Sequence, residues 1–187
     1  MLRTNQTFLS YFEALYHKQE SGKDILLKSY PKGEQILIQG QFLLKPMIIK
    51  EGVTKCYFTE ENGKEYIVEF SGSGEIIGEI EMIKNTPCLC SIETLTEVSV
   101  YEIAIPYFRF LLKNDIALNN LLLDIFAERI INTSSRASYQ QLYTTEHTLT
   151  QLLKMQTKEG IRISKEDMAA YLGITVRSLN RILKDLK

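Results

Sequence analysis

Three groups of residues in this chain have side chains and spacing suited to chemistry. The first is Thr175, Val176, Arg177, Ser178, Asn180, Arg181 and Lys184, near the C-terminal end of the sequence. Arg177, Asn180, Arg181 and Lys184 recur at helical spacing, so the cations and the amide share one outward face. Arginine and asparagine on such a face offer the bidentate hydrogen bonds that read guanine and adenine edges in a DNA major groove. The second group lies in GEIIGEIEMI at 74–83, where Gly78, Glu79 and Ile80 form a glycine loop running into one helical turn. The N–H groups at such a turn suit an anion, and the carboxylates of Glu79 and Glu81 suit a ligand hydroxyl. The third is Cys56, Cys88 and Cys90, since thiolates ligate metals and exchange disulfides. Each group has a plainer alternative: a solvated charged face, a structural corner, and buried structural thiols. For the loop and the cysteines, spacing alone favours the plainer one.

Composition narrows the class. The chain has 187 residues, 44% hydrophobic and 24% charged, enough for one generous domain or two small ones. It has no charged-then-apolar leader and no apolar run long enough to span a bilayer, so neither secretion nor a membrane span is expected. An odd number of cysteines without a leader suggests reduced thiols in a cytoplasm. Net charge is −1, but residues 161–187 hold six Lys or Arg against three acids, +3, which leaves −4 on the preceding 160. A basic end on an acidic body suits a small nucleic-acid-reading unit attached to something else. There is no nucleophile–base set and no metal-spaced histidine cluster, and both histidines, His17 and His147, fall on predicted helices. An enzyme is not expected, nor a metal or cofactor.

The elements that position these groups follow from periodicity. Residues 5–20 place Phe8, Phe12, Leu15 and Tyr16 on one helical face. From Asp24 to Ile105, short Ile-, Val-, Tyr- and Phe-rich segments alternate with glycine turns, Asn62-Gly63 being the best hairpin signal. That pattern predicts a β-barrel or sandwich of about eight strands. From about Ile116 to Tyr143 runs a stretch without Gly or Pro in which Leu118, Leu121, Leu122 and Ile125 form one stripe. A second seam, Leu123, Phe126, Ile130, Thr133, Ala137 and Gln140, steps by 3, 4, 3, 4 and 3, which is heptad spacing. One stripe packs in cis and the other meets its twin in a dimer; a helix wholly buried within the monomer is the alternative. A helix from His147 to Met155 precedes the last unit. There Ser164 caps one helix, with Met168, Ala169 and Leu172 inward; Gly173 stops it; and Thr175 caps another, with Leu179, Leu183 and Leu186 inward. Cap, helix, glycine turn and capped helix read as a helix-turn-helix.

In this order the chain resembles the CRP/FNR superfamily of bacterial transcription regulators. The likeness rests on Tyr30-Pro-Lys-Gly33, Gly52, Asn62-Gly63, GEIIGEIEMI at 74–83 and ISKEDMAAYLGITVRSLNRIL at 163–183. IIGEIEMI together with PYFRFLLKND is most similar to the YeiL-like branch. The resemblance implies an α+β chain: an N-terminal cupin-like, cyclic-nucleotide-binding-like β-barrel or jelly roll (1–115), a dimerisation helix (116–143) and a C-terminal helix-turn-helix (144–187) that stops before the family's wing. It also implies homodimers through Leu123, Phe126, Ile130 and Ala137, double-stranded promoter DNA as partner, and RNA polymerase as a further one the family allows. Gly78, Glu79, Ile80, Cys88, Leu89, Thr133 and Ser134 fall on the family's effector-binding positions. Arg181 falls on a base-reading position, while Val176 and Arg177 replace the family's Arg-Glu pair, so the target sequence should differ.

Departures from the family limit the ligand. Cyclic-AMP-binding members carry an Arg that neutralises the cyclic phosphate, where this chain has Thr86-Pro-Cys-Leu-Cys-Ser91 with Cys88 in its place. Cyclic AMP is therefore not the expected effector, and the effector is either an unidentified small molecule or none, with one state held constitutively. The iron–sulfur members use four cysteines, mostly N-terminal; here there are three and none is N-terminal. A small-molecule-binding or redox-sensing module without DNA binding of its own is the competing function.

Overall fold

The structure is a computed structural model describing residues 2–20, 22–42 and 45–186. The chain opens with β1 (Leu2–Arg3) and α1 (Gln6–Lys18). Asn5 caps α1 by accepting from the Phe8 N–H at 2.9 Å, and the helix buries Phe8, Leu9 and Phe12. His17 lies exposed on it.

Among the described residues there are nine strands, where the sequence pattern predicts about eight. They are β1, β2 (Ile25–Tyr30), β3 (Gln35–Leu37), β4 (Met47–Glu51), β5 (Thr54–Thr59), β6 (Glu65–Ser71), β7 (Ile76–Ile77), β8 (Ser91–Thr94) and β9 (Val98–Ile103). One sheet runs β1-β6-β5-β8-β3 and the other β2-β9-β4-β7. The extra strand is β1, too short to carry a pattern, which pairs parallel to β6 through Leu2↔Phe70 and Arg3↔Ser71. The β5–β6 hairpin turns at Asn62-Gly63 as expected, with Gly63 in the left-handed region at φ 74. At the other end of β6, Gly74 has φ 83 and a Cβ there would run into the Asn5 carbonyl. Only glycine fits that corner, which ties the start of α1 to the loop before β7.

Between β7 and β8 lies α2 (Glu79–Lys84), entered through Gly78 at φ 84. After β9 comes α3 (Ile105–Asn114), which the sequence pattern misses because Pro106 reads as a stop. In fact Pro106 sits in the first turn, where its missing N–H costs nothing. Asp115 then caps α4 (Ile116–Leu142), accepting from the N–H groups of Ala117 and Leu118. Leu118, Leu122 and Ile125 bury against α1, β9 and α3, as the first stripe predicts.

The C-terminal part is α5 (Thr145–Glu159), α6 (Lys165–Leu172) and α7 (Val176–Asp185). Thr144, Ser164 and Thr175 each cap the helix that follows with a side-chain oxygen, and Gly160 and Gly173 end α5 and α6 in the left-handed region. Leu179 and Ile182 are the buried residues of α7 and Leu183 is half-buried, but Leu186 lies past the helix end and is 47% exposed. The apolar faces of these helices do not close on themselves. Leu149, Leu152, Met155, Met168, Tyr171, Leu179 and Ile182 share one core with Val53, Tyr57, Ile67, Phe70 and Leu95 of the barrel. The Tyr171 ring packs tilted against Phe70, centroids 5.2 Å apart, a pair worth about 0.5–1.5 kcal/mol beyond its buried area. Lys55 of β5 completes the docking, reaching Asp167 of α6 at 2.6 Å and Glu93 at 3.4 Å. Burial pulls the Lys55 pKa down, but Asp167 and Glu93 outweigh it and leave it raised.

Candidate functional site

The helix-turn-helix places its polar row as follows. Arg177, Arg181 and Lys184 are exposed, and among the described residues none of the three is in an ion pair. Thr175 and Ser178 serve the cap: the Thr175 hydroxyl accepts from the Ser178 N–H and lies 3.0 Å from its hydroxyl. Val176 packs on the edge of the shared core, and Asn180 accepts from Lys165 of α6 at 2.7 Å. The residues free to meet a duplex are thus the three cations, one helical turn apart.

The seven residues aligned with a family effector site do not form one pocket. Gly78 is the turn into α2 and Glu79 is 2% exposed, whereas Ile80 (42% exposed) and Leu89 (56% exposed) point outward. Successive residues of a helical turn cannot all face one cavity. Cys88 is buried with Cys56, Ile77, Ile92, Val98 and Val100, so side chains fill the barrel interior there. Thr133 and Ser134 are exposed on α4.

The Glu79 carboxylate is also engaged, by an arginine the sequence pattern did not single out. Arg129 of α4 pairs with Glu79, reaches Glu75 at 3.3 Å, and donates to the Ile76 carbonyl at 2.8 Å. Arg3 of β1 pairs with Glu75 at 2.9 Å and Glu69 at 2.5 Å. Two arginines and three glutamates make a nearly neutral buried cluster, and burial, the largest influence, lowers the Arg129 pKa. Arg129 therefore offsets the Glu79 charge and occupies its carboxylate, leaving the cluster at a net −1. Glu81 is likewise used, accepting from the Leu89 N–H at 3.0 Å. No sequence period marks Arg129 or Arg3, because each meets its partners only once the barrel has closed.

The cysteines lie close together on the barrel. Cys88 and Cys90 precede β8, outside any strand. Cys56 hydrogen-bonds Cys90, which with burial pushes its thiol up. Burial, then the Glu81 charge and Cys90, push the Cys88 thiol up to about 11. All three are free thiols; Cys56 and Cys88, raised and buried, are poor nucleophiles. Among the described residues no three His, Cys, Asp or Glu side chains are placed to hold a metal ion.

On α4, Leu123 and Ile130 are 67% exposed and Ala137 is exposed, while Phe126 packs partly against its own barrel. The seam is therefore open at Leu123, Ile130 and Ala137, and Phe126 is half-buried. Among the described residues no helix is long and apolar enough to cross a membrane.

The fold defines a class: a cyclic-nucleotide-binding-type barrel joined by a long helix to a helix-turn-helix. Residues 27–115 match the cyclic nucleotide-binding domain family. The chain is 26% identical over 180 residues to the "Probable transcriptional regulator flp" of Lacticaseibacillus casei, covering 93% of this chain and 78% of that one. Among solved structures, it matches the c-di-GMP responsive global regulator CLP of Xanthomonas campestris with TM-score 0.76 at 18% identity, over 97% of this chain and 91% of that one. It matches a CRP/FNR-family transcriptional regulator from Thermus thermophilus with TM-score 0.71 at 16% identity, over 86% of this chain and 85% of that one. The chain therefore shares the fold of these regulators and is similar to them in sequence.

Proposed function

We propose that this protein is a homodimeric, DNA-binding transcription regulator of the CRP/FNR type, acting on promoter DNA in the cytoplasm. The observation that carries the reading is α7, whose Arg177, Arg181 and Lys184 stand exposed on a helix anchored by Leu179 and Ile182. A helix fixed on one side and cationic on the other suits a major groove. Homodimerisation rests on Leu123 and Ile130, apolar side chains left open at heptad spacing. The filled barrel and the engaged Glu79 support an effector other than cyclic AMP, or one state held without any. RNA polymerase is a contact suited to an activator of this family.

The test is a gel shift across a salt series, with an operator first selected from random DNA. Binding should fall steeply with salt. Arg181→Ala should cost about 1–3 kcal/mol on the selected operator and little on random DNA. Failure to retain any DNA at low salt would overturn the reading; equal losses on both DNAs would make Arg181 a phosphate contact.

A further inference from the structure

A cavity of about 640 Å³ lies outside the barrel, between β5 and β6, the second half of α4, the start of α5 and Tyr171 of α6. Its volume falls within the range of small-molecule sites, roughly 300–1,000 Å³. The walls are aromatic: Phe58, Tyr66, Tyr139, Tyr143, His147 and Tyr171 line it. Tyr139, Tyr143 and His147 form a ladder with ring spacings of 5.1 Å and 4.8 Å, the second pair stacked. Such rings give flat faces for a planar molecule.

Arg136 supplies the charge. Its guanidinium donates to the carbonyls of Val68, Ile67 (2.8 Å) and Tyr171 (2.9 Å), and lies 5.1 Å and 4.1 Å from the ring centroids of Tyr66 and Tyr171. Among the described residues it has no carboxylate partner, so a half-buried positive charge on the cavity wall lacks a counter-ion. Three of the five guanidinium N–H groups are used, which leaves two for a ligand anion. Glu69, the carboxylate on the wall, is held by Arg3 at 2.5 Å, so no free carboxylate waits for sugar hydroxyls.

We propose that this cavity, and not the barrel interior, is the effector site, and that it takes an aromatic monocarboxylate without a sugar. Its role as an effector site rests on the regulator reading; the binding itself does not. Arg136 joins α4, β6 and α6, so an anion that draws the guanidinium toward itself through the two remaining N–H groups weakens its hold on the Tyr171 carbonyl and loosens α6 from the barrel. Thr133, Ala137 and Gln140 of the dimer seam border the same cavity, which places the ligand next to the partner's helix.

The experiment is calorimetric titration of the full chain, without DNA, using 2-naphthoate, the neutral 2-naphthalenemethanol, and cyclic AMP. Naphthoate should bind at least about tenfold tighter than the alcohol, the value of one charge-assisted contact. Arg136→Gln should weaken naphthoate by a similar factor without changing binding of the alcohol. Ser135→Trp, at an exposed position on the cavity wall, should block both while leaving the circular dichroism spectrum unchanged, a control that does not touch Arg136. With naphthoate bound, the α6 amides should exchange faster with solvent. Equal affinity for acid and alcohol, tighter binding of cyclic AMP, or binding indifferent to both substitutions would overturn the site. Unchanged α6 exchange would overturn the coupling. A protein that binds naphthoate this way but retains no DNA in the gel shift would refute the regulator reading alone.

Discussion

Replacing Arg129 by Met tests how the segment around Glu79 is held. In the native cluster, Arg3 and Arg129 face Glu69, Glu75 and Glu79, a net charge of −1. The substitution makes it −2. Glu75 keeps Arg3 at 2.9 Å, but Glu79, its side chain 3% exposed, loses the Arg129 pairing and has no other ion pair among the described residues. Removing one partner of a buried pair costs about 3–5 kcal/mol, because the remaining charge is stranded. Against a total stability of about 5–15 kcal/mol, that is readily measured by urea unfolding.

The same variant has a pH signature. A buried carboxyl without counter-charge has its pKa raised above the unfolded value of about 4.3. A raised folded pKa gives stability that is present below the unfolded value and lost as pH rises through the folded one. The deficit of Arg129→Met should therefore be smaller at pH 5 than at pH 8. Adding Glu79→Gln, which cannot ionise, should recover about 2 kcal/mol at pH 8, far from additive. A deficit under about 1 kcal/mol at both pH values, or simple additivity in the double variant, would refute the account of Glu79 as held by Arg129.

Three further outcomes are expected. Leu123→Glu combined with Ile130→Glu should give monomers in light scattering with the native fold retained, since both side chains are exposed in one chain; persistent dimers would remove the seam, and Phe126 is avoided because it also packs on the barrel. Cyclic AMP should leave the backbone resonances of residues 77–81 and 88–92 unmoved, because a full negative charge there would meet a filled interior at a desolvation cost of several kcal/mol; shifts confined to those residues would contradict it. Cys88 should resist iodoacetamide at pH 8, and its raised thiol pKa gives stability held below the ordinary thiol value of 9.0 and lost as pH rises toward about 11; alkylation at the rate of an exposed thiol would show the site is open.

The parts of the fold legible in the sequence are those set by local rules. Ser164, Thr175 and Gly173 announce the helix-turn-helix because caps and left-handed stops depend on a few adjacent residues. The hairpin at Asn62-Gly63 and the inward stripe of α4 follow from turn chemistry and period alone. What the sequence hides is set by contacts across the chain. Arg129 meets Glu79 from 50 residues away, and Arg136 meets Val68 from 68. Neither carries a motif, and on a helix wheel both read as solvated charges. Glu79, by contrast, has the right residue type and address, yet its neighbours rather than its position decide what it can bind.

The same long-range contacts bear on how such a protein would transmit a signal. A helix-turn-helix on a free linker would report nothing about the state of the barrel. Here Met168, Tyr171, Leu179 and Ile182 share a core with Ile67 and Phe70 of β6. Arg136 on α4 bonds the carbonyls of both β6 and α6, and Lys55 ties β5 to Asp167. The orientation of α7 is therefore fixed by β6 and by the second half of α4 together. In a parallel dimer that half of α4 also sets the distance between the two copies of α7, which must match one helical turn of DNA, about 34–36 Å. A small shift of α4 against β6 changes that spacing without touching a DNA-contacting residue, because packed interfaces move between discrete arrangements and do not deform continuously. In a regulator of the proposed kind, the contact between α4, β6 and α6, where Arg136 sits, would govern the signal more than the loop at Gly78.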